Sequence, residues 1–153
     1  MRLLLQRVLP APRERVFAAL VDPEVLGEWW GPAGFTTPAL ELDVRLGGRF
    51  RITMQPPEGE EFHLAGEFTE LDPPARLAYT FLWEEPHPDD RETHVTLSLE
   101  ERDAATELTL DHGDFATDER FALHERGWTE TLDRLEALLG CEAAGTLGGG
   151  SRA

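Results

Sequence analysis

The spacing of apolar residues divides the chain into one strand, two short helices, a run of strands and a long helix. Residues 3–9 predict the first strand. After Pro12 the apolar residues recur every three or four positions, as in an amphipathic helix. Asp22 and Pro23 then predict a second short helix, because aspartate is a good N-cap and proline suits the first helical position.

Between residues 35 and 114 the apolar period changes to two. Turn signals such as Gly47-Gly48 and Asp72-Pro73-Pro74 separate the alternating segments. Consecutive short strands with one apolar face each predict an antiparallel meander. The six segments centre on residues 40–44, 50–54, 62–68, 77–83, 95–99 and 108–112.

The last periodic segment predicts a long helix, capped by Thr117 or Asp118 and ended by Gly140. About 22 residues at about 1.5 Å rise give a rod of about 33 Å, which can cover the apolar face of the whole sheet. We therefore predict an α+β helix-grip fold, with a curved antiparallel sheet of about seven strands wrapped around the C-terminal helix. An apolar pocket is expected between the sheet and that helix.

The 153 residues fit one domain over residues 1–140 and a Gly-rich flexible tail over residues 141–153. One free cysteine and an N-terminus without a signal-peptide pattern suggest a cytoplasmic protein. The chain is expected to be a monomer or a homodimer.

The charge and the rare residues restrict the chemistry. With 14 basic and 30 acidic residues the formal charge is −16, which disfavours nucleic acid and anionic membranes as partners. Without lysine there is no Schiff-base chemistry, and Ser98, Ser151 and Cys141 are poorly placed as nucleophiles. The acidic turn at residues 87–90 predicts an exposed loop rather than a cation site. We predict no catalytic residue, metal or cofactor.

Four stretches together resemble a known superfamily. They are VFAALVDPEVLGEWWGP, DVRLGGRFRI, GEFTELDPPARLAYTFLW and HERGWTETLDRLEALL. They are similar to the START-like (SRPBCC) superfamily, in the branch related to the C-terminal domain of the activator of the heat-shock protein 90 ATPase. The resemblance covers residues 3–140 and implies a helix-grip fold with an internal apolar cavity. Because this superfamily ranges from lipid and hormone binders to polyketide cyclases, and many bacterial members have no assigned role, the fold alone does not define a function.

Aromatic residues on the apolar face of the sheet and on the facing helix form the best candidate site. Such a set suits a flat or lipid-like ligand, although each member also fits ordinary core packing. The predicted ligand-binding residues are Trp30, Phe50, Phe62, Phe68, Tyr79, Phe81, Trp83, Leu110, His112, His124 and Trp128.

Three smaller features leave alternatives open. His112 and His124 could meet near the pocket mouth as polar anchors or acid–base groups, or be hydrogen-bonded core histidines. Gly127 either allows tight helix-to-sheet packing, which is favoured, or leaves room in the cavity. Of Trp29 and Trp30, one is expected in the core and the other at the pocket entrance.

These observations favour binding of a hydrophobic or aromatic small molecule between the sheet and the C-terminal helix. The resemblance implies one alternative, a stress-related, chaperone-associated interaction module with a chaperone as partner. A weaker alternative is cyclase- or hydrolase-like chemistry that uses the histidines and Tyr79.

Overall fold

The computed structural model describes residues 1–147, with the side chains of residues 1–142. Within these residues no helix is both long and apolar enough to cross a bilayer. The elements are β1 Leu3–Leu9, α1 Arg13–Val21, α2 Pro23–Trp29, β2 Thr36–Leu42, β3 Arg49–Gln55, β4 Phe62–Asp72, β5 Arg76–Trp83, β6 Thr93–Arg102, β7 Ala105–Gly113 and α3 Asp118–Leu147.

The sheet has seven strands in the order β1-β7-β6-β5-β4-β3-β2. From β2 to β7 each strand pairs antiparallel with the next along the chain, as short turns permit. β1 pairs antiparallel with β7, with Leu3 opposite His112. The predicted α+β helix-grip fold and its seven strands are confirmed.

Helices α2 and α3 begin where their capping residues predict. The Asp22 side chain accepts a hydrogen bond from the backbone N–H of Glu24 at 3.0 Å, and Pro23 occupies the first position of α2. Of the two predicted caps for α3, Thr117 is the one used, because its Oγ1 accepts from the backbone N–H of Arg120 at 3.2 Å. Each such cap satisfies an otherwise unpaired N–H and is worth about 1 kcal/mol.

The core lies between the inner face of the sheet and one face of α3. Trp128, Leu132, Leu135 and Leu139 recur at three- and four-residue steps and are at most 5% exposed. Full burial of each such side chain contributes about 1.5–3 kcal/mol. Below α2, the indole N–H of Trp29 donates to the carbonyl of Ala19 at 3.0 Å.

The predicted end of α3 at Gly140 is wrong, since the helix continues to Leu147. One glycine costs only about 1 kcal/mol in a helix interior. Beyond it, Glu142 accepts a hydrogen bond from Nε of Arg15 on α1 at 2.8 Å, which ties the added turns to the domain. Of the predicted flexible tail, residues 148–153 lie outside the described residues.

Candidate functional site

A cavity of about 300 Å³ opens between three parts of the structure. They are the N-terminal half of α3, the end of the sheet that lies nearest to that half, and the loop that follows α2. The volume of the cavity is at the lower end of the range for small-molecule sites. The sheet contributes Met54, Phe62, Phe81 and Trp83; the loop contributes Trp30, Gly31, Pro32 and Phe35; the turn after β5 contributes Glu85, His87 and Asp90; and α3 contributes Arg120, Leu123, His124, Gly127, Trp128 and Thr131.

Six aromatic rings contact one another in series around this cavity, and we call them the aromatic belt. Neighbouring ring centroids in the series lie 5.2–6.4 Å apart, and four of the five contacts are edge-to-face. Such contacts are worth about 0.5–1.5 kcal/mol each beyond the burial of their area, so the belt is a rigid wall. In order of contact its members are Phe35, Phe62, Trp83, Phe81, Trp128 and Trp30.

His124 is fixed in its neutral form beside the belt. Its Nε2 accepts a hydrogen bond from the indole N–H of Trp83 at 3.0 Å, so the ring proton is on Nδ1. That Nδ1–H donates to the backbone carbonyl of Arg120 at 2.7 Å. Burial lowers the pKa of His124, which agrees with an uncharged ring.

His112 is likewise held in its neutral form by two hydrogen bonds. It lies one layer deeper than His124 and is fully buried. Its Nδ1 accepts from the indole N–H of Trp128 at 2.9 Å, and its Nε2–H donates to Oγ1 of Thr93 at 2.7 Å. Burial lowers the pKa of His112 to about 2. The imidazoles of His112 and His124 lie 5.6 Å apart, so the two histidines meet, but every ring nitrogen is used in a hydrogen bond.

Charged groups are concentrated at one end of the cavity. Arg120 donates from Nε to Oδ1 of Asp90 at 2.7 Å, and the Asp90 side chain is only 8% exposed. Glu85 accepts from the backbone N–H and from Nδ1 of His63, at 2.8 and 2.7 Å. The side-chain hydrogen bond from His63 lowers the pKa of Glu85, which keeps this carboxylate ionised at neutral pH.

The loop over residues 30–35 is held against α3 by two side chains of that helix, Glu130 and Arg134. Gly31 has a φ of +96°, a backbone conformation that favours glycine, and the chain turns there. Glu130 on α3 accepts from the backbone N–H of Ala33 at 2.9 Å. Nη1 of Arg134 donates at 2.9–3.2 Å to the carbonyl oxygens of Trp30, Gly31, Pro32 and Phe35.

Comparison with known proteins assigns the chain to a family. The model of the family described as "Activator of Hsp90 ATPase homolog 1-like protein" matches residues 10–140. The chain belongs to this family. The predicted membership of the START-like superfamily is thereby confirmed. No curated protein matches the chain significantly in sequence.

Solved structures resemble this AHSA1-like chain over almost its whole length. The AHSA1 protein from Silicibacter pomeroyi is 35% identical with a TM-score of 0.79, covering 93% of this chain and 99% of that one. Protein CV1439 from Chromobacterium violaceum is 29% identical with a TM-score of 0.81, covering 90% and 96%. Protein NE0264 from Nitrosomonas europaea is 31% identical with a TM-score of 0.79, covering 94% and 97%.

Of the residues predicted to bind ligand in this AHSA1-like domain, six line the cavity, namely Trp30, Phe62, Phe81, Trp83, His124 and Trp128. Phe50, Phe68 and Tyr79 instead pack on one another in a second cluster, with ring centroids 5.2–6.2 Å apart. Leu110 and His112 are fully buried. These five residues therefore lie in the core of the AHSA1-like domain rather than in the cavity wall.

Several wall residues were not predicted from the sequence. Phe35 lies just before β2 and outside the six alternating segments, so their pattern assigns it no face. The turn at residues 87–90, expected to be an exposed loop, includes Asp90, whose side chain is only 8% exposed and pairs with Arg120, a residue distant in the chain. At Gly127 an added Cβ would meet nothing nearer, within the described residues, than Cγ of Pro32 at 3.9 Å. The favoured prediction of tight packing at Gly127 is therefore wrong, and this glycine leaves room in the cavity.

Proposed function

We propose that the protein binds a hydrophobic or aromatic small molecule in the cavity between the sheet and α3. The observation that carries this proposal is the aromatic belt around an unfilled space of about 300 Å³. Large apolar side chains normally fill the space between packed elements. A rigid aromatic wall around open space is typical of a pocket for a flat or lipophilic ligand.

The polar groups near the belt support binding rather than catalysis. Within the described residues, neither His112 nor His124 has a ring nitrogen without a hydrogen bond, and burial lowers the pKa of both. Tyr79 lies in the second aromatic cluster, where burial raises the pKa of its hydroxyl. A general acid or base needs an accessible site with a pKa near the working pH, so these groups suit a structural role.

A cavity-filling variant tests the proposal. Gly127→Leu would place a branched side chain in the cavity, whereas the control Gly127→Ala adds only one methyl group. In fluorescence titration and native mass spectrometry we expect the natural chain and Gly127→Ala to bind 1-methylnaphthalene, and Gly127→Leu to bind at least about 10-fold more weakly, a difference of about 1.4 kcal/mol. Equal binding by both variants would exclude this cavity as the site.

A chaperone partner is the second candidate, and it is supported by the family's description as activator of Hsp90 ATPase homolog 1-like. If this function applies, saturating protein should raise the ATPase rate of an Hsp90 from the same organism. An unchanged rate would remove the candidate. A cytoplasmic location and a monomeric or homodimeric state stay predictions.

A further inference from the structure

The aromatic belt presents ring faces and edges but almost no hydrogen-bond donors to the cavity. The indole N–H groups of Trp83 and Trp128 are occupied by His124 and His112. The indole N–H of Trp30 is buried and has no hydrogen-bond partner among the described residues, and it is closed to solvent. An anionic ligand would therefore find few donors here, whereas the ring faces carry the negative quadrupole that attracts cations.

The fixed charges at the cavity end are negative in sum. Glu85 and Asp90 each contribute a carboxylate, and Arg120 contributes a guanidinium whose Nε is already bonded to Asp90. With histidines counted as neutral, these three groups sum to one negative charge. The whole chain carries a formal charge of −16, so the potential outside the cavity has the same sign.

The aromatic ring faces and the negative charge at the cavity end both favour a positively charged ligand. Tryptophan is the strongest aromatic partner for a cation, and three of the chain's four tryptophans belong to the belt. A positive group on the ligand could face the rings while the carboxylates hold it at the end of the cavity. A neutral ligand of the same shape would gain only the apolar contact.

We propose that the cavity prefers lipophilic cations, such as aromatic quaternary amines, over neutral and anionic molecules of the same shape. This preference rests on the proposed function, since it names the ligand class of the same cavity. It does not follow from apolar burial, which would favour the neutral molecule because a cation is more strongly hydrated.

Three probes of nearly equal shape separate charge from size. They are N-methylquinolinium, its neutral isostere 1-methylnaphthalene, and the anion 1-naphthoate. In calorimetric titration of the full chain we expect N-methylquinolinium to bind about 5- to 30-fold more tightly than 1-methylnaphthalene, the range for a cation over aromatic rings. We expect 1-naphthoate to bind most weakly, and the preference for the cation to shrink as salt is raised.

Two variants locate the preference in the cavity. Phe62→Leu keeps an apolar side chain but removes a ring of the cavity wall, and Glu85→Gln removes a charge. Each should weaken binding of the cation several-fold, and by a larger factor than it changes binding of 1-methylnaphthalene. Glu14→Gln is the matched control, because Glu14 is exposed on α1 and forms no part of the cavity wall. It should change neither affinity.

The outcomes distinguish the two proposals. If 1-methylnaphthalene binds as tightly as the cation or more tightly, the preference is wrong and the proposed function stands. If Glu14→Gln weakens the cation as much as Glu85→Gln does, the preference belongs to the overall charge and the cavity assignment is overturned. If none of the probes binds, both the proposed function and the preference fail.

Discussion

A single added methyl group would change the free energy of unfolding in opposite directions at two glycines, Gly66 in β4 and Gly127 in α3. At Gly66 a Cβ would lie 2.0 Å from the carbonyl oxygen of Thr80 and 2.5 Å from the Phe50 ring, so β5 must move to admit it. We expect Gly66→Ala to lower the free energy of unfolding by about 3 kcal/mol, as overpacking does. Gly127→Ala should raise it by about 0.5–1 kcal/mol, because alanine is the better helix former.

Urea denaturation of both variants checks this pair of changes. The slope against urea should stay the same in each, since neither change alters how much surface unfolding exposes. A Gly66→Ala variant as stable as the natural chain would show that β4 and β5 are not in the close contact described above.

His112 makes stability depend on pH. Burial lowers the pKa of His112 to about 2, below its unfolded value of about 6.5, and the electrostatic influence of the nearby His124, His94 and Arg2 side chains acts in the same direction. The unfolded state therefore binds the extra proton first as the pH falls. The stabilisation is complete above about pH 6.5 and is lost progressively below it, by up to about 1.4 kcal/mol per pH unit.

Unfolding free energies measured between pH 7 and 5.5 test this, since the lowered pKa values of Glu84, Glu85 and Asp114 act in a more acid range. His112→Gln is the informative variant, because an amide can still accept from Trp128 and donate to Thr93. Its stability should vary less with pH. An equal slope in the variant would assign the pH dependence to other groups.

The residue patterns predict which face a side chain occupies but not how far along the strand the cavity lies. Alternation correctly places Phe50, Phe62, Phe68 and Phe81 on the inner face of the sheet. Only Phe62 and Phe81 of these reach the cavity, because its position depends on where α3 and the loop over residues 30–35 leave the sheet. The alternation of apolar residues along a strand carries no information about where another element packs on the sheet.

At the scale of elements, Arg134 makes most of the hydrogen bonds between α3 and the loop that completes the aromatic belt. One nitrogen serves four carbonyl groups, so replacing the guanidinium leaves several loop oxygens without a partner. We expect Arg134→Met to lower the free energy of unfolding by about 1–3 kcal/mol. It should also speed hydrogen exchange at residues 31–35 and weaken 1-methylnaphthalene binding. Arg134→Lys should restore part of each, since an ammonium keeps the charge but not the fork of donors.

Hydrogen-exchange mass spectrometry separates this effect from general destabilisation. Exchange in β6 and β7, which lie away from the loop, serves as the internal control. If Arg134→Met raises exchange equally in the loop and in those strands, the arginine acts on the whole fold rather than on the cavity wall.

The two ends of α3 differ in how well the sequence predicts them. Its start follows from a local cap, Thr117, whereas the turns beyond Gly140 are bonded through Glu142 to Arg15, which is far away in the chain. A chain shortened after Gly140 should therefore be less stable than one shortened after Leu147. Because the Arg15–Glu142 pair is partly exposed, we expect a difference of about 1 kcal/mol. Thermal unfolding of both chains measures it, and equal melting temperatures would contradict a stabilising role for the added turns.

At the scale of the whole molecule, the formal charge of −16 should make stability depend on salt. Repulsion among unpaired carboxylates opposes the compact state and is screened by added ions. We expect Tm to rise by about 3 °C between low and physiological ionic strength, which is about 1 kcal/mol for a domain of this size. A variant with Gln at the exposed Glu58, Glu60 and Glu61 should respond less. A Tm that falls on adding salt would mean that the ion pairs outweigh the repulsion.

The pairing of β1 with β7 has a consequence for synthesis of the chain. Leu3 pairs opposite His112, so β1 leaves the ribosome about 100 residues before its partner strand exists. At about 5–20 residues per second the delay is roughly 5–20 s, during which a leucine-rich strand has no edge to join. The sheet can then close only late, by a contact between distant parts of the chain, which makes folding slow compared with that of a helical bundle. The nascent chain is therefore most prone to aggregation in the seconds before β7 emerges from the ribosome.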